Sequence, residues 1–421
     1  MGLLNDVAMG WRYASGLVPF LHDAPAIDDP AGVVQAQLAA RSERFIDTVR
    51  RGIYADPCSP YRPLLEHAGV SEARLEAMVR AQGIEPALRQ LYDAGVYVTL
   101  DEFKGRTPIR RPGLELPVTA ASFDNRLSRS QLSGVTGGSR TRGTRIALDL
   151  EDFESELASG LLWLQGADAL HLPQVYWRPA FPSPSTIHAM LIAARLGAPT
   201  RRWYTQTRPG PRKPGELKGF IVHAATFVLT ALAGHPTPYP RYLPADQPEP
   251  LARWLATQTA RGERLYVDAI VSSAVLLCQR AAELGLDIRG HLFRTLSEPL
   301  TPAKARVIYD AGCDVISMYG MVDSGRLGMS CGTPNALDDM HLLTFRDAFL
   351  QIPRQLPGWP RPVGALYLTS LRPTAPKMLL NVETGDYGVL SQRQCGCPLG
   401  QAGLTTHLHT IRNYEKLTSA G

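Results

Sequence analysis

A glycine-rich stretch could bind a phosphate group. It is Thr136-Gly-Gly-Ser-Arg-Thr-Arg-Gly-Thr144. Glycines let backbone amides approach a phosphate closely, and hydroxyl and guanidinium groups add donors and charge. The stretch precedes a β-like run rather than opening a helix, and it lacks the Lys-Ser/Thr ending of a Walker loop. A flexible surface loop has the same composition, so the residues alone leave both interpretations open.

Two other segments have residue types that suit a nucleotide. Tyr319-Gly-Met-Val-Asp323 follows a strand-like run, and α/β sheets bind ligands beyond the carboxyl ends of their strands. The tyrosine could stack on a base, and Asp323 could hold Mg²⁺ against phosphate oxygens. In Glu383-Thr-Gly-Asp386 the second acid could accept hydrogen bonds from both ribose hydroxyls. Ordinary turns, one of them with a core tyrosine, are the alternative.

A third pattern could bind zinc. Three thiolates and one imidazole make a closed tetrahedral zinc site. The four candidate ligands are Cys331, His341, Cys395 and Cys397. His407 and His409 are rival nitrogen ligands, and two unrelated thiols in a turn are the alternative to any metal. We expect the remaining cysteines to be inert packing residues.

The overall composition excludes several classes of protein. The 421 residues carry a net charge of +5 without a dense Lys/Arg run, so we expect no nucleic-acid partner. About 18 uninterrupted apolar residues are needed to cross a membrane, and the chain has no such segment. Residues 1–20 lack the pattern of a secretory leader, so we expect none, and the six cysteines are too few for a disulfide scaffold. A cytoplasmic protein is the simplest expectation.

The elements that must position these residues change in character along the chain. Residues 1–117 are predicted to be mostly helical; Ser71, for example, is a potential N-cap, whereas Tyr97–Leu100 favours a short strand. Residues 118–330 alternate short apolar runs with helical stretches, which predicts an α/β core with a largely parallel sheet. Residues 331–421 are predicted to form a β-rich subdomain.

Taken in order, these motifs resemble the adenylate-forming superfamily of acyl-CoA ligases, and within it the phenylacetate-CoA ligase branch. The similarity runs from about residue 118 to the end of the chain. The matching pieces are Gly138–Thr144, Phe181 with the His188 helix, Leu296-Ser-Glu-Pro-Leu300, Tyr319–Asp323, Thr384-Gly-Asp386, Cys395-Gly-Cys397 and Ile411–Leu417. The resemblance implies a layered α/β core that ends in a β-rich subdomain.

The resemblance also implies a reaction. In these enzymes a carboxylate attacks the α-phosphorus of ATP, and the acyl-adenylate then passes to a thiol of coenzyme A or of a carrier protein. By analogy, Ser139, Arg140, Thr141 and Thr144 hold the phosphates; Ser297, Glu298, Pro299, Tyr319, Gly320 and Met321 border the adenine; Asp323 binds Mg²⁺; and Asp386 grips the ribose with Arg412 nearby. Tyr176, Phe181 and His188 would line the acyl pocket, although a lone histidine on an apolar helix is more often a core residue.

Departures from the family pattern leave alternatives open. Asp323 is shorter than the usual glutamate, Thr141 stands where the loop usually has glycine, and the lysine of the family's mobile C-terminal domain has no counterpart before Gly421. We therefore expect this chain to be a weakly active large core of such a ligase. A nucleotide-binding module with little catalysis of its own and a zinc-stabilised interaction protein are the other hypotheses.

Overall fold

The computed structural model describes residues 2–22, 27–128, 132–135, 145–148, 150–179, 185–198, 200–208 and 217–414. The helices are α1 Gly2–His22, α2 Pro30–Ala39, α3 Arg41–Val49, α4 Tyr61–His67, α5 Glu72–Gln82, α6 Ile84–Asp93, α7 Leu100–Phe103, α8 Leu150–Gly166, α9 Ser185–Arg195, α10 Leu217–Leu232, α11 Glu249–Ala260, α12 Val271–Glu283, α13 Pro302–Asp310 and α14 Pro398–Gln401. A π-helical turn, Arg50–Tyr54, follows α3, and a 3₁₀ turn spans Ala120–Phe123.

The strands build one large sheet and two small hairpins. They are β1 Ile109–Arg111, β2 Leu114–Leu116, β3 Leu132–Val135, β4 Arg145–Leu148, β5 Gln174–Trp177, β6 Thr200–Thr205, β7 Arg241–Tyr242, β8 Tyr266–Ile270, β9 Leu292–Leu296, β10 Asp314–Met321, β11 Gly325–Ser330, β12 Met340–Leu342, β13 Asp347–Arg354, β14 Val363–Ser370, β15 Val382–Gln392 and β16 Thr406–Asn413. β1 pairs with β2 and β3 with β4, both antiparallel.

The large sheet has 12 strands and is parallel at one end and antiparallel at the other. Its order is β13-β14-β15-β16-β12-β11-β10-β9-β8-β5-β6-β7. From β10 to β7 all neighbouring strands are parallel. The central strands β5, β8 and β9 are buried along almost their whole length, as expected when helices cover both faces of a parallel sheet. The predicted α/β fold class is confirmed.

The strands after β10 pair antiparallel, which agrees with the predicted β-rich character of the C-terminal part. These antiparallel strands are not a separate unit, because they pack against the N-terminal helices. Phe45 and Leu88 share one hydrophobic core with Leu366 and Leu380. The buried amide of Asn381, whose backbone is left-handed at φ 49°, donates to the carbonyls of Leu88 at 2.8 Å and Val96 at 3.1 Å.

Side-chain caps begin the N-terminal helices α5 and α7, and the sequence predicted the first of them correctly. The Ser71 hydroxyl accepts from the amide of Arg74 and begins α5 as predicted. The strand expected at Tyr97–Leu100 is wrong, because Thr99 forms a capping box with Glu102 and starts α7. Only Val98 pairs as a strand residue there, in a single bridge to Val382. Within the part of the chain that the structure describes, no helix has the length and apolar character to cross a bilayer.

Candidate functional site

A cleft of about 200 Å³ opens where the parallel part of the sheet meets the antiparallel part. It lies at the carboxyl ends of β9 and β10, where ligands bind in α/β sheets. Its lining comprises Ser297, Glu298, Pro299, Leu300, Ser317, Met318, Tyr319, Gly320, Asp338, Met340, Asp386, Ile411, Arg412 and Asn413. Seven of the predicted nucleotide-site residues, distant in sequence, therefore meet at one place. The predicted phosphate-loop residues Ser139, Arg140, Thr141 and Thr144 lie outside the described residues.

Asp386 is held rigidly at the edge of this cleft. The Tyr319 hydroxyl donates to Asp386 Oδ2 at 2.8 Å, and the Asn413 amide donates to Oδ1 at 2.8 Å. The hydroxyl of Thr384 accepts from the Asp386 amide at 3.1 Å, so the Thr-Gly-Asp turn supports its own acid. Burial raises the pKa of Tyr319, which therefore stays protonated and donates. The carboxylate keeps lone pairs for hydroxyl donors of a ligand.

On the opposite wall, Ser297 and Glu298 follow β9. Ser297 adopts a left-handed backbone, φ 69°, which is uncommon for a residue with a side chain and occurs often at binding sites. Glu298 accepts from the Ser272 amide at 3.1 Å, the Ser272 hydroxyl at 2.8 Å and Lys304 Nζ at 3.1 Å. Partial burial would raise the pKa of Glu298, but these donors outweigh it and the pKa lies below its usual value. This wall is therefore preorganised.

Asp338, which the motif analysis missed, holds the last strand in place. Its carboxylate accepts from the amides of Thr410 at 2.8 Å and Ile411 at 3.1 Å, and Arg412 Nη1 lies 3.5 Å from it. Thr410 has a left-handed backbone, φ 56°, so this acid stabilises an irregular point in β16. The acidic pair before Met340 was the available signal. Nothing in its spacing indicated a distant strand as its partner.

Two predicted residues of the Tyr319 motif lie outside the cleft lining. Met321 ends β10, and Asp323 is buried in the turn between β10 and β11. Lys104 Nζ lies 3.6 Å from Asp323 Oδ2 and partly neutralises it. The assignment of Mg²⁺ to Asp323 therefore remains a prediction, and it requires the carboxylate to exchange this ion pair for a metal.

Two predicted acyl-pocket residues lie beyond β9 as seen from β10, on β5 and on α9. Tyr176 on β5 is buried and donates to Gln174, and His188 on α9 stacks on Phe153 with ring centroids 3.9 Å apart. His188 Nε2 lies 3.8 Å from Glu156 Oε2, yet burial lowers the pKa of the imidazole to about 4, so it is neutral near pH 7. Phe181 lies outside the described residues. The surroundings of His188 are charged, because Glu156, Asp152, Arg326 and Arg346 all act on the pKa of its imidazole.

The four predicted zinc ligands meet at one point. A tetrahedral zinc site with Zn–S bonds of about 2.3 Å has sulfur–sulfur edges of about 3.8 Å. Here the Sγ–Sγ separations are 3.7 Å for Cys331–Cys395, 4.0 Å for Cys331–Cys397 and 3.5 Å for Cys395–Cys397. His341 Nε2 lies 3.0 Å from Cys397 Sγ and 3.5 Å from Cys395 Sγ. The residues fit a tetrahedral metal ion.

The groups around this cluster also suit a metal. His341 Nδ1 lies 2.6 Å from the carbonyl of Leu404, so a proton on Nδ1 leaves Nε2 free as a ligand. Hydrogen bonds from Cys397 and His341 lower the pKa of the Cys331 thiol, and Arg393 Nη2 lies 3.3 Å from its sulfur. His407 is a fifth candidate, because its ring atoms come within 4.8 Å of three of the others and its buried Nε2 has no partner. His409 contacts Thr410 instead.

No family model and no curated protein sequence matches this chain. Solved structures do match by fold. An open conformation of 2-hydroxyisobutyryl-CoA ligase in complex with 2-HIB-AMP and CoA is 17% identical, with a TM-score of 0.54 over 91% of this chain and 77% of its own. The same ligase in the postadenylation state is 16% identical, with a TM-score of 0.49 over 88% and 65% of the two chains.

A long-chain-fatty-acid-CoA ligase from Archaeoglobus fulgidus is 13% identical and covers 69% of this chain and 53% of its own, with a TM-score of 0.39. The chain spans about three quarters of the first of these relatives and less than two thirds of the other two. It has the fold of the adenylate-forming acyl-CoA ligases, as the order of its motifs predicted. The comparisons do not distinguish the phenylacetate-CoA ligase branch from the others.

Proposed function

We propose that this chain binds ATP and a carboxylic acid and forms an acyl-adenylate, which is then transferred to a thiol. The main support is the cleft at the carboxyl ends of β9 and β10, which is lined by Glu298, Tyr319, Asp386 and Arg412. The chain around this cleft has the fold of acyl-CoA ligases. The fold relative binds an adenylate and CoA, which supports CoA as the acceptor. A carrier-protein thiol is the alternative acceptor.

In the proposed reaction, a carboxylate oxygen bonds to the α-phosphorus of ATP while the bond to the bridging oxygen breaks and pyrophosphate leaves. The nucleophile and the leaving group are both anionic, so the protein's task is to position them and to supply positive charge. Asp386, fixed by Tyr319 and Asn413, would accept hydrogen bonds from the ribose hydroxyls. Arg412 would lie beside the phosphates. Arg140 of the predicted loop and Mg²⁺ on Asp323 would supply the rest of the positive charge that neutralises them.

The cysteine cluster would serve this function indirectly. We propose that Cys331, His341, Cys395 and Cys397 bind one structural zinc ion. Cys331 follows β11 and His341 lies on β12, next to β16, whose end lines the cleft. A metal there would hold Ile411 to Asn413 at a constant distance from Tyr319. The zinc would supply no acid or base to the reaction.

The test combines binding with catalysis. AMP or ATP should raise the midpoint of thermal unfolding, and Asp386→Asn, which preserves shape but removes a charged acceptor, should abolish most of that rise. Asp310→Asn is the matched control, because Asp310 is an exposed acid on α13 whose carboxylate lies 3.8 Å from Arg306, outside the cleft lining. Acid-dependent ATP–pyrophosphate exchange over a panel of acids would then separate an enzyme from a nucleotide-binding module. If the nucleotides do not stabilise the chain and no acid supports exchange, the proposal is refuted.

A further inference from the structure

Buried arginines and carboxylates form two groups along the sheet, and the charges cancel in only one of them. Arg326, Arg346 and Arg372 are balanced by three carboxylates, through pairs between 2.7 and 3.4 Å. Those carboxylates are Asp152, Glu156 and Asp347. In the parallel part of the sheet, Arg178 after β5 and Arg294 on β9 share a single carboxylate partner, Asp268 on β8. Among the described residues, this second group therefore carries one uncompensated positive charge.

Both arginines of that group are deeply buried. Arg178 is 6% exposed and Arg294 3% exposed, while Asp268 is fully buried. Taking a guanidinium out of water without a full counter-charge is strongly unfavourable. The same burial lowers the pKa of Arg178 and of Arg294 to about 10. A fold that keeps this excess needs an anion or strong acceptors beside it.

The structure has space for such a group. A cavity of about 30 Å³ is lined by Arg294 and Arg326 together with Tyr176, Tyr266, Gln174 and Trp163. Nε of Arg294 is buried and has no hydrogen-bond partner. Nε of Arg326 is also buried and makes no hydrogen bond, although Glu156 Oε2 lies 3.4 Å from it as an ion-pair partner. A water needs only about 10–15 Å³ by the same kind of measure, so a compact polar group fits where a ring does not.

This cavity adjoins the proposed adenylation cleft. Met318 lines the cleft, and its sulfur accepts from Arg294 Nη1 at 3.4 Å. Arg294 therefore lies directly behind the cleft wall, on the strand that leads to Ser297. The cavity also touches Ala189 and Ile192 of α9, the helix on which the resemblance placed the acyl pocket. A substrate chain that starts at the cleft and passes Met318 would end beside Arg294.

We propose that the acid activated by this chain is a dicarboxylic acid, whose second carboxylate enters this cavity and pairs with Arg294 and Arg326. This inference rests on the proposed function and refines its substrate class. The second carboxylate would balance the excess charge of the Arg178–Arg294–Asp268 group and accept hydrogen bonds from the two buried Nε atoms, which make none within the described residues. An aryl or fatty acid without a second polar group would leave those donors unpaired, at a cost in binding.

The test compares acids that differ only at the far end. Glutarate is paired with pentanoate, and terephthalate with 4-methylbenzoate, in ATP–pyrophosphate exchange and in thermal unfolding with AMP present. For at least one pair, we expect the dicarboxylate to be favoured tenfold or more in kcat/KM, which is about 1.4 kcal/mol, with a larger rise in the unfolding midpoint.

Variants connect the preference to the cavity. Arg294→Lys retains a cation for Asp268 but removes the Nε donor, and should reduce the preference at least tenfold. Arg372→Lys makes the same change in a buried arginine outside the cavity lining and should leave the preference intact. If AMP stabilises the chain but both acids of every pair behave alike, or Arg294→Lys keeps the preference, the dicarboxylate assignment is wrong and the adenylation proposal stands.

Two further outcomes decide against the inference. Equal stabilisation by sodium chloride at the same ionic strength would identify an inorganic-anion site rather than a substrate subsite. Absence of both nucleotide stabilisation and exchange would remove the proposed function itself, and with it the substrate assignment.

Discussion

Removal of the predicted zinc ion is the sharpest perturbation that the structure offers. The Cys331–His341–Cys395–Cys397 cluster joins the end of β11 and the strand β12 to the turn that precedes α14. Without metal, the three thiols remain 3.5 to 4.0 Å from one another, and His341 Nε2 remains 3.0 Å from Cys397 Sγ and 3.5 Å from Cys395 Sγ. Any thiolates there would then repel each other in a largely buried setting, because no cation of the ion's charge remains between them.

The magnitude can be worked out. Zinc present at about 1,000 times its dissociation constant stabilises the folded state by about 4 kcal/mol. Unfolding entropy is roughly 2.1 cal/mol/K per residue near the midpoint, or about 0.9 kcal/mol/K for 421 residues if they unfold together. Chelation should therefore lower the unfolding midpoint by about 4 to 5 °C. A C-terminal part that unfolds separately would show a larger shift.

The assay measures metal content and unfolding on the same sample. Elemental analysis should find about one zinc per chain, and the midpoint should fall with chelator and recover with added zinc. Cys397→Ser should lose the metal, whereas Cys58→Ser, at an exposed thiol outside the cluster, should keep it. His407→Gln decides whether the fifth candidate is a ligand. Metal-free protein that unfolds at the same temperature with or without zinc would refute the reasoning.

Three other outcomes are expected. Asp386→Asn should remove most of the nucleotide-dependent rise in unfolding midpoint, measured by thermal unfolding with AMP. Arg372→Met should cost about 3–5 kcal/mol in chemical denaturation, because it leaves Asp347 buried without its cation and removes one of the two arginines that pair with Asp152. Burial lowers the pKa of His188 to about 4, so between about pH 6.5 and 4 only the unfolded imidazole takes up a proton. The free energy of unfolding should therefore decrease by up to about 3 kcal/mol as the pH is lowered through that window. His188→Phe should flatten this dependence on pH. An unchanged pH profile in that variant would contradict the assignment.

Much of the site could be predicted because the relevant signals are local. Turn chemistry near Tyr319 and Asp386 and the Cys-x-Cys spacing depend on a few neighbouring residues, and the structure brought those motifs to two compact clusters. Asp338 and Asn413 were missed as cleft residues, because their partners lie 72 and 27 positions away. The strand expected at Tyr97–Leu100 failed for a different reason: a capping box outweighed β propensity.

The sequence by itself determined the α/β class, the change to a β-rich C-terminal part and the order of the motifs, since these follow from hydrophobic periodicity and turn residues along the chain. Only the tertiary structure decided how the charges are distributed. Asp268 and Arg294 are 26 positions apart, and Arg346 and Asp152 are 194 apart. Whether a buried arginine has its counter-charge depends on which strands and helices become neighbours. Periodicity indicates which residues are buried, but it does not identify the charged partner across the sheet.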